Sequence, residues 1–284
     1  MNNLVRTMKI DSHQHFWKYN PDEYAWITDD MGILRQDFLP EDLKPLLSRA
    51  GIHGSVAVQA RQSLDETRWL LNLAGENEFI KGVVGWVDLC SENLEDQLME
   101  FLPNPKFVGV RHVIQDEPDK FFILRKEFIR GVGLLQRFDL AYDILVFARH
   151  LPQTIEFVRK FPDQVFVLDH IAKPEIRLRK TSPWKEEVMK LAAFQNVYCK
   201  VSGMITEADW LRWKKTDFRP YLDTLTDAFG TNRLMIGSDW PVCQLAGSYT
   251  DVLEIAVNYF AGFSRYEKKA LFGRNAEKAY QLKF

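Results

Sequence analysis

The sequence predicts an α/β fold of the (β/α)8 TIM-barrel type, one domain over residues 1–284 with a long aromatic loop after the first strand. Three observations predict it. Eight short apolar runs alternate with segments of helical periodicity along nearly the whole chain. Each run is apolar on both faces, as strands are in a parallel sheet covered by helices. No Gly-x-Gly-x-x-Gly turn follows the first run, which speaks against an open doubly wound sheet.

The first strand covers residues 9–15 and leads into an aromatic loop, 16–37, carrying Trp17, Tyr19, Tyr24 and Trp26. Connections that long in a compact domain tend to be lids or binding loops. A short helix from Leu43 to Ala50 is stopped by Gly51. The second strand, 55–59, is followed by Ser63 and Glu66, spaced as a capping box for the next helix. The third strand, 82–88, precedes a helix striped by Leu94, Leu98, Phe101 and Leu102. After the fourth, 107–112, the apolar positions Phe121, Leu124, Phe128, Val132 and Leu135 give the clearest helical period in the chain. The fifth strand, 142–147, leads to a helix with Ile155 and Val158. The sixth, 165–170, leads to one opened by Ser182 as N-cap and Pro183 as first helical residue. The seventh strand, 197–202, precedes a helix that ends at Gly230. The eighth, 234–239, precedes one that starts at 248–251, and 264–284 reads as a helical tail.

Composition removes several function classes. With 284 residues, 46% hydrophobic, the chain can bury a substantial core. A net charge of −2 lacks the basic footprint of a nucleic-acid binder. No apolar run reaches the 18 or so residues of a membrane span, and the first seven residues lack the apolar stretch of a signal peptide. Cys90, Cys199 and Cys243 are odd in number and far apart, which argues against a disulfide framework or zinc cluster. The expectation is a cytoplasmic protein, with homo-oligomerisation left open.

Barrel enzymes carry their chemistry at the C-terminal ends of the strands. Those ends hold His13 and His15, Gln59 and Arg61, Trp86 and Asp88, and Arg111 with His112. They continue with Asp143, then Asp169, His170 and Lys173, then Lys200 and Ser202, and last Asp239 with Trp240. Residues i and i+2 of a strand share a face, so His13 and His15 project together and can bind a metal or polarise a carbonyl. A bare His-x-His is often only structural. The carboxylate of Asp239, ending the last strand, turns the balance toward chemistry. A charge on a strand buried on both faces must be paired or functional.

The stretches Asp-Ser-His-Gln-His-Phe-Trp (11–17), Gly-Val-Arg-His-Val (109–113), Val-Leu-Asp-His-Ile-Ala-Lys-Pro (167–174), Cys-Lys-Val-Ser-Gly-Met (199–204), Thr-Glu-Ala-Asp-Trp (206–210) and Gly-Ser-Asp-Trp-Pro-Val (237–242) resemble the amidohydrolase superfamily. More narrowly they are similar to its sugar-lactone hydrolase branch, from about residue 9 to the C-terminus. The resemblance implies hydrolysis of an ester or amide by water held near His13, His15, His170 and Asp239. Two-metal members use a carboxylated Lys on the fourth strand and a His on the fifth. Here those strands carry Arg111 and Asp143, so the resemblance implies one divalent ion (Zn or Mn, held by His13, His15, His170 and Asp239) or none, and no obligatory cofactor.

The residue types then assign roles. Asp239 is the expected general base, and His13, His15 and His170 the groups that polarise the carbonyl. Arg111 offers a fork to substrate oxygens. Trp17, Trp26, Gln59, Trp86, His112, Lys173 and Trp240 are the expected substrate contacts, although a tryptophan in a chain with 13% aromatic residues is more often core. The expected substrate is a small sugar-acid lactone. Two alternatives stand beside it: a metal-dependent decarboxylase or hydratase of a small aromatic or carboxylated substrate, with Arg111, Lys173 and Lys200 as an anion site, and a barrel that binds a metabolite without catalysis.

Overall fold

The computed structural model describes residues 8–283; the N-terminal stretch read above for a signal peptide, and Phe284 of the tail, lie outside them. Eight parallel strands run in chain order, β1 (Ile10–Gln14), β2 (Gly54–Val58), β3 (Ile80–Gly85), β4 (Phe107–His112), β5 (Ala141–Ile144), β6 (Phe166–Leu168), β7 (Val197–Val201) and β8 (Leu234–Ile236). The seam between β8 and β1 is closed past the strand ends. There the His15 amide donates to Trp240 O at 2.7 Å and the Asp239 amide to His13 O at 2.9 Å. The sheet is thus a nearly closed TIM barrel.

The helices that cover it are α1 (Pro40–Ala50), α2 (Leu64–Glu76), α3 (Leu94–Phe101), α4 (Lys126–Leu135), α5 (Leu151–Val158), α6 (Trp184–Ala192), α7 (Arg219–Phe229) and α8 (Tyr249–Tyr259). Their apolar stripes meet the outer faces of the strands in one continuous core. A separate inner cluster fills the barrel floor. It joins Ile10, Val56, Val84 and Met235 to Ala276, Tyr280 and Leu282 of the tail. That tail is α9 (Arg265–Lys269), a π-helical turn (Ala270–Arg274) and α10 (Asn275–Ala279), and it plugs the bottom of the barrel. No helix among the described residues is long and apolar enough to cross a membrane.

Several boundaries differ from the sequence reading. Strands β3, β5, β6 and β8 stop two or three residues early, because the chain turns away from its neighbours at the mouth of the barrel. His170 and Asp239 lie in such turns, at φ 51° and 58°, outside the extended conformation of a strand. The long period from Phe121 to Leu135 is two pieces. Arg125 is extended (φ −62°, ψ 141°), and Phe121 is left half exposed ahead of a single 3-10 turn. Ser182 caps nothing, since Pro183 occupies the N-cap itself with no side-chain bond. Ser63 does accept from the Asp65 and Glu66 amides, but the Glu66 carboxylate turns back to the Ala60 and Arg61 amides, 3.0 Å from each. The capping box is therefore half made. Ser248 and Asp251 complete theirs at the start of α8.

Candidate active site

At the C-terminal mouth of the barrel lies a cavity of about 620 Å³. That is within the usual range for a site that encloses a small molecule. Its floor carries His15, Arg111, His170 and Asp239, and its walls include Trp26, Phe147, Lys173, Glu207 and Trp210. The carboxylate Oδ1 of Asp239 is the meeting point. It lies 3.4 Å from His15 Nε2 and 3.8 Å from both His13 Nε2 and His170 Nε2. His13 sits beneath them, fully buried, with its Nε2 3.1 Å from that of His15.

Two glycines make this approach possible. A Cβ on Gly237 would sit 2.7 Å from His13 Cβ, and one on Gly203 would sit 2.5 Å from His170 Nδ1. Glycine is the residue that lets backbone and side chain come so close. His170 is further held by Ser202, whose hydroxyl is 3.0 Å from Nδ1 and has no other hydrogen-bond partner among the described residues. That hydroxyl donates its proton to Nδ1, which leaves His170 with its own proton on Nε2, facing Asp239. His15 is set the other way. Its Nδ1 lies 2.8 Å from Val58 O, a carbonyl that only accepts, so its Nε2 is a lone pair.

Beneath this layer is a buried lattice of charge. Lys200 Nζ contacts Asp143 Oδ2 at 2.5 Å, Asp169 Oδ1 at 3.0 Å and His13 Nδ1 at 3.2 Å. Arg111 Nη1 donates to Asp169 Oδ2 at 3.0 Å, while Nη2 donates to Gln59 O. Tyr280, from the tail, donates to Asp143. Two carboxylates and two cations balance there, which is what burial of ions requires.

The electrostatics follow. Burial holds His13 well below its ordinary value and lowers His15, and it brings His170 down to about 4, so all three are neutral at pH 7. Burial opposes ionisation of Asp239 as well, but the surrounding imidazoles, His170 first among them, outweigh it. Its carboxyl lies below the usual carboxylate range and is ionised.

His13, His170 and Asp239 offer three ligand atoms within 4.8 Å of one another. The lone pair of His15 and the Asp239 oxygen, two acceptors 3.4 Å apart, also call for something positive between them. This borderline N/O set fits one divalent cation, of a kind the geometry does not name. A second would meet the side chains of Arg111 and Lys200.

Of the expected substrate contacts, Trp26 and Lys173 line the cavity. Gln59 lies behind Arg111 and orients it. The other four stand away from it. Trp17 is wholly buried, its indole N–H donating to Leu34 O and Gln36 O, and it pins the ends of the aromatic loop through paired backbone bonds with Phe38. Trp240 packs edge-on against Phe16 and Phe38. Trp86 donates to His112 Nδ1 at 3.4 Å, and His112 stacks on Phe122 and meets Glu117 at 2.7 Å. Apolar packing claimed these side chains. The sequence reading placed Asp143 and Asp169 at strand ends without giving them a role, gave Lys200 one only in the anion site of the decarboxylase alternative, and missed Glu207, Trp210, Gly203 and Tyr280. Trp210 and Glu207 were within reach, in a stretch already noted; nothing local marks a tyrosine that reaches the site from the far end of the barrel.

The rim of the cavity is tied by Glu66. Tyr24 donates to it at 3.3 Å, and Arg61 pairs with Glu23 at 2.6 Å above. Burial lifts the Glu66 carboxyl to about 7. A folded state that keeps a proton the unfolded chain has lost is stabilised at low pH, and that advantage declines as pH rises from about 4.5 to about 7. Other groups shift too, so the clean measurement is a difference. Urea unfolding of wild type and Glu66→Gln should show wild type losing at most about 3 kcal/mol relative to the variant across that window, and nothing further above it. Parallel curves would mean that Glu66 titrates in the folded protein as it does in the unfolded chain.

A family model described as amidohydrolase matches residues 10–282. The chain is 42% identical to an L-fucono-1,5-lactonase of Burkholderia multivorans, over 97% of this chain and 96% of that protein. It is 39% identical to an L-fucono-1,5-lactonase of Burkholderia ambifaria, over 86% of this chain and 84% of that one. A crystal structure of an amidohydrolase from Burkholderia multivorans with bound zinc superposes with a TM-score of 0.93 at 43% identity, covering 97% of this chain and all of that one.

Proposed function

Because the chain belongs to the amidohydrolase family, we propose that it is a hydrolase that opens a small, neutral sugar-acid lactone, L-fucono-1,5-lactone or a close relative. The observation that carries the reading is the convergence of one ionised carboxylate and three neutral imidazoles on the floor of a cavity whose cations are all paired. Arg111 is bound to Asp169, Arg61 to Glu23, and Lys173 lies 4.0 Å from Glu207. Lys200 is sealed below. Among the described residues no unpaired cation lines the cavity to clamp a substrate carboxylate, which is what the decarboxylase alternative needs. Trp26, Trp210 and Phe147 offer apolar faces to a sugar ring, and Gln62, Gln115, Thr206 and Glu207 offer hydrogen-bonding groups to its hydroxyls.

In the mechanism, water bound beside Asp239 gives it a proton and attacks the lactone carbonyl. The Nε2–H of His170 donates to the carbonyl oxygen as it gains charge. The tetrahedral intermediate collapses, the ring C–O bond breaks, and the alkoxide recovers the proton from Asp239. Water and lactone thus give the open hydroxy acid. A carboxylate held so far below neutrality is a weak base, which suits a lactone better than an amide. His13, His170 and Asp239, with His15 beside them, would hold a divalent ion, and such an ion supplies further carbonyl polarisation when bound.

The test is acid release from a panel of lactones by purified protein, before and after dialysis against chelator. Neutral aldonolactones should be opened at least tenfold faster than dicarboxylated pyrone lactones, and part of the rate should survive chelation, an activated ester needing less polarisation than an amide. A preference for the dicarboxylate would overturn the neutral-substrate reading. Complete loss of rate with recovery on adding Zn²⁺ or Mn²⁺ would make the ion obligatory.

A further inference from the structure

We propose that Glu207 is the specificity-determining residue of the cavity: with Lys173 it forms an open ion pair that receives a ring hydroxyl of the substrate and turns a substrate carboxylate away. The inference deepens the hydrolytic reading and rests on it for the kind of substrate, but the pair itself stands on geometry.

Among the described residues Arg61, Arg111 and Lys173 are the arginines and lysines that line the cavity. Two of them are committed to close partners: Arg111 Nη1 donates to Asp169 Oδ2 at 3.0 Å, and Arg61 meets Glu23 at 2.6 Å. Lys173 is held differently. Its Nζ is 4.0 Å from Glu207 Oε1, close enough for the charges to offset each other and too far for a hydrogen bond. Neither head group has a hydrogen-bond partner among the described residues, and both side chains line the cavity. A hydroxyl oxygen about 2.8 Å from each head closes that gap, accepting from the ammonium and donating to the carboxylate. A carboxylate in the same place could accept from Lys173, but it would face Glu207 charge against like charge.

The gap is set by backbone on both sides. His170, Ile171, Ala172 and Lys173 take four successive left-handed conformations, at φ 51°, 53°, 62° and 47°, which side-chain-bearing residues rarely adopt. This turn brings His170 and Lys173 to the cavity and puts Ile171 and Ala172 in the core. It is pinned where the Lys173 amide donates to His170 O at 2.8 Å and the Trp184 indole to Ile171 O at 2.7 Å. Strain of this kind persists where the surroundings enforce it, and it gathers at binding sites. On the other side the Arg177 amide donates to Glu207 O at 2.9 Å, which ties the segment after β7 to the one after β6. The Trp210 indole fixes Thr206 O next to it at 2.8 Å. The two backbones that carry the pair are thus joined, and the Lys173 ammonium lies 5.5 Å from the Phe147 ring on the same wall.

The experiment compares Glu207→Gln with wild type on L-galactono-1,4-lactone and on the galactaro-1,4-lactone of the same ring configuration, whose terminal carbon is a carboxylate. For the neutral lactone kcat/KM should fall about tenfold, mainly through KM, because the pair touches a hydroxyl and not the reacting atoms. The carboxylated lactone should gain about tenfold, and in Glu207→Gln/Lys173→Met that gain should vanish. An unchanged preference, or a gain that survives loss of the lysine, would overturn the proposal. On monodeoxy analogues of the neutral lactone the Glu207→Gln penalty should disappear at one ring position only. The same penalty on every analogue would mean that no hydroxyl sits in the pair. Lys173→Met alone should single out the same position without any gain on the carboxylated lactone, which keeps the proposal open to refutation if Glu207→Gln does not fold. Galacturonate, a sugar ring with a carboxylate and no ester, should bind Glu207→Gln about tenfold tighter than wild type by calorimetry. That measurement needs no turnover. A protein that opened no lactone would overturn the hydrolytic reading and leave it standing, whereas ready lactone opening with an unchanged charge preference overturns this proposal alone.

Discussion

Asp239→Asn should lower kcat for lactone opening by about 10³-fold while KM and the folded structure change little. The carboxylate is the one ionised group on the cavity floor that lies against all three imidazoles, and an amide cannot take a proton from water. The variant should fold for two reasons. Residue 239 sits at φ 58°, a conformation that asparagine adopts more readily than most side chains. The new amide can also donate to His15 Nε2, 3.4 Å from the oxygen it replaces, so no orphaned group is created. In wild type the rate should hold from neutrality down to about pH 4 and fall below it, where His170 and then Asp239 gain protons. Activity is thus present above the folded values and lost beneath them. Near-wild-type turnover in the variant, measured with circular dichroism and thermal unfolding as controls, would remove Asp239 from the role of base.

The fold was legible because each strand and helix states its period locally, and eight alternations leave few ways to close a sheet. The strand limits were less so. Near the mouth of the barrel the apolar runs continue into Val87, Val146 and Ile171, which are buried by packing and not by strand pairing. Hydrophobicity reports the first kind of burial as readily as the second. The same ambiguity misled the choice of aromatic contacts. Trp17 and Trp240 are next to site residues in sequence, but an indole at that position gains more by filling the space under the loop than by facing water.

The site divides along similar lines. His13, His15, His170 and Asp239 could be read because their types and their places at strand ends point to one chemistry. Asp143, Asp169 and Lys200 were visible as charges on buried strands, and burial does demand a partner. What the sequence does not state is which partner: a lysine on β7 satisfies carboxylates on β5 and β6 and a histidine on β1 only once the barrel is closed. Charge balance in that lattice belongs to the fold as a whole.

Gly203 shows how a residue without functional groups belongs to the site, and it yields the second large effect. In Gly203→Ala the new methyl would stand 2.5 Å from His170 Nδ1 and 2.7 Å from Cγ, so the ring must move and lose its bond to Ser202. A displacement of the order of 1 Å at a reacting group costs about 10²-fold in rate, and kcat should fall by that much with a smaller change in KM. Alanine at φ +62° also costs about 1–2 kcal/mol of stability for backbone reasons alone. Gly51 provides the control, because it has φ +65° at the end of α1 with nothing within 4 Å of where a Cβ would be. Gly51→Ala should lose similar stability by thermal unfolding and keep its turnover. If the two variants lost activity equally, the loss would come from general destabilisation, and the close fit of Gly203 beneath His170 would have no part in the reaction.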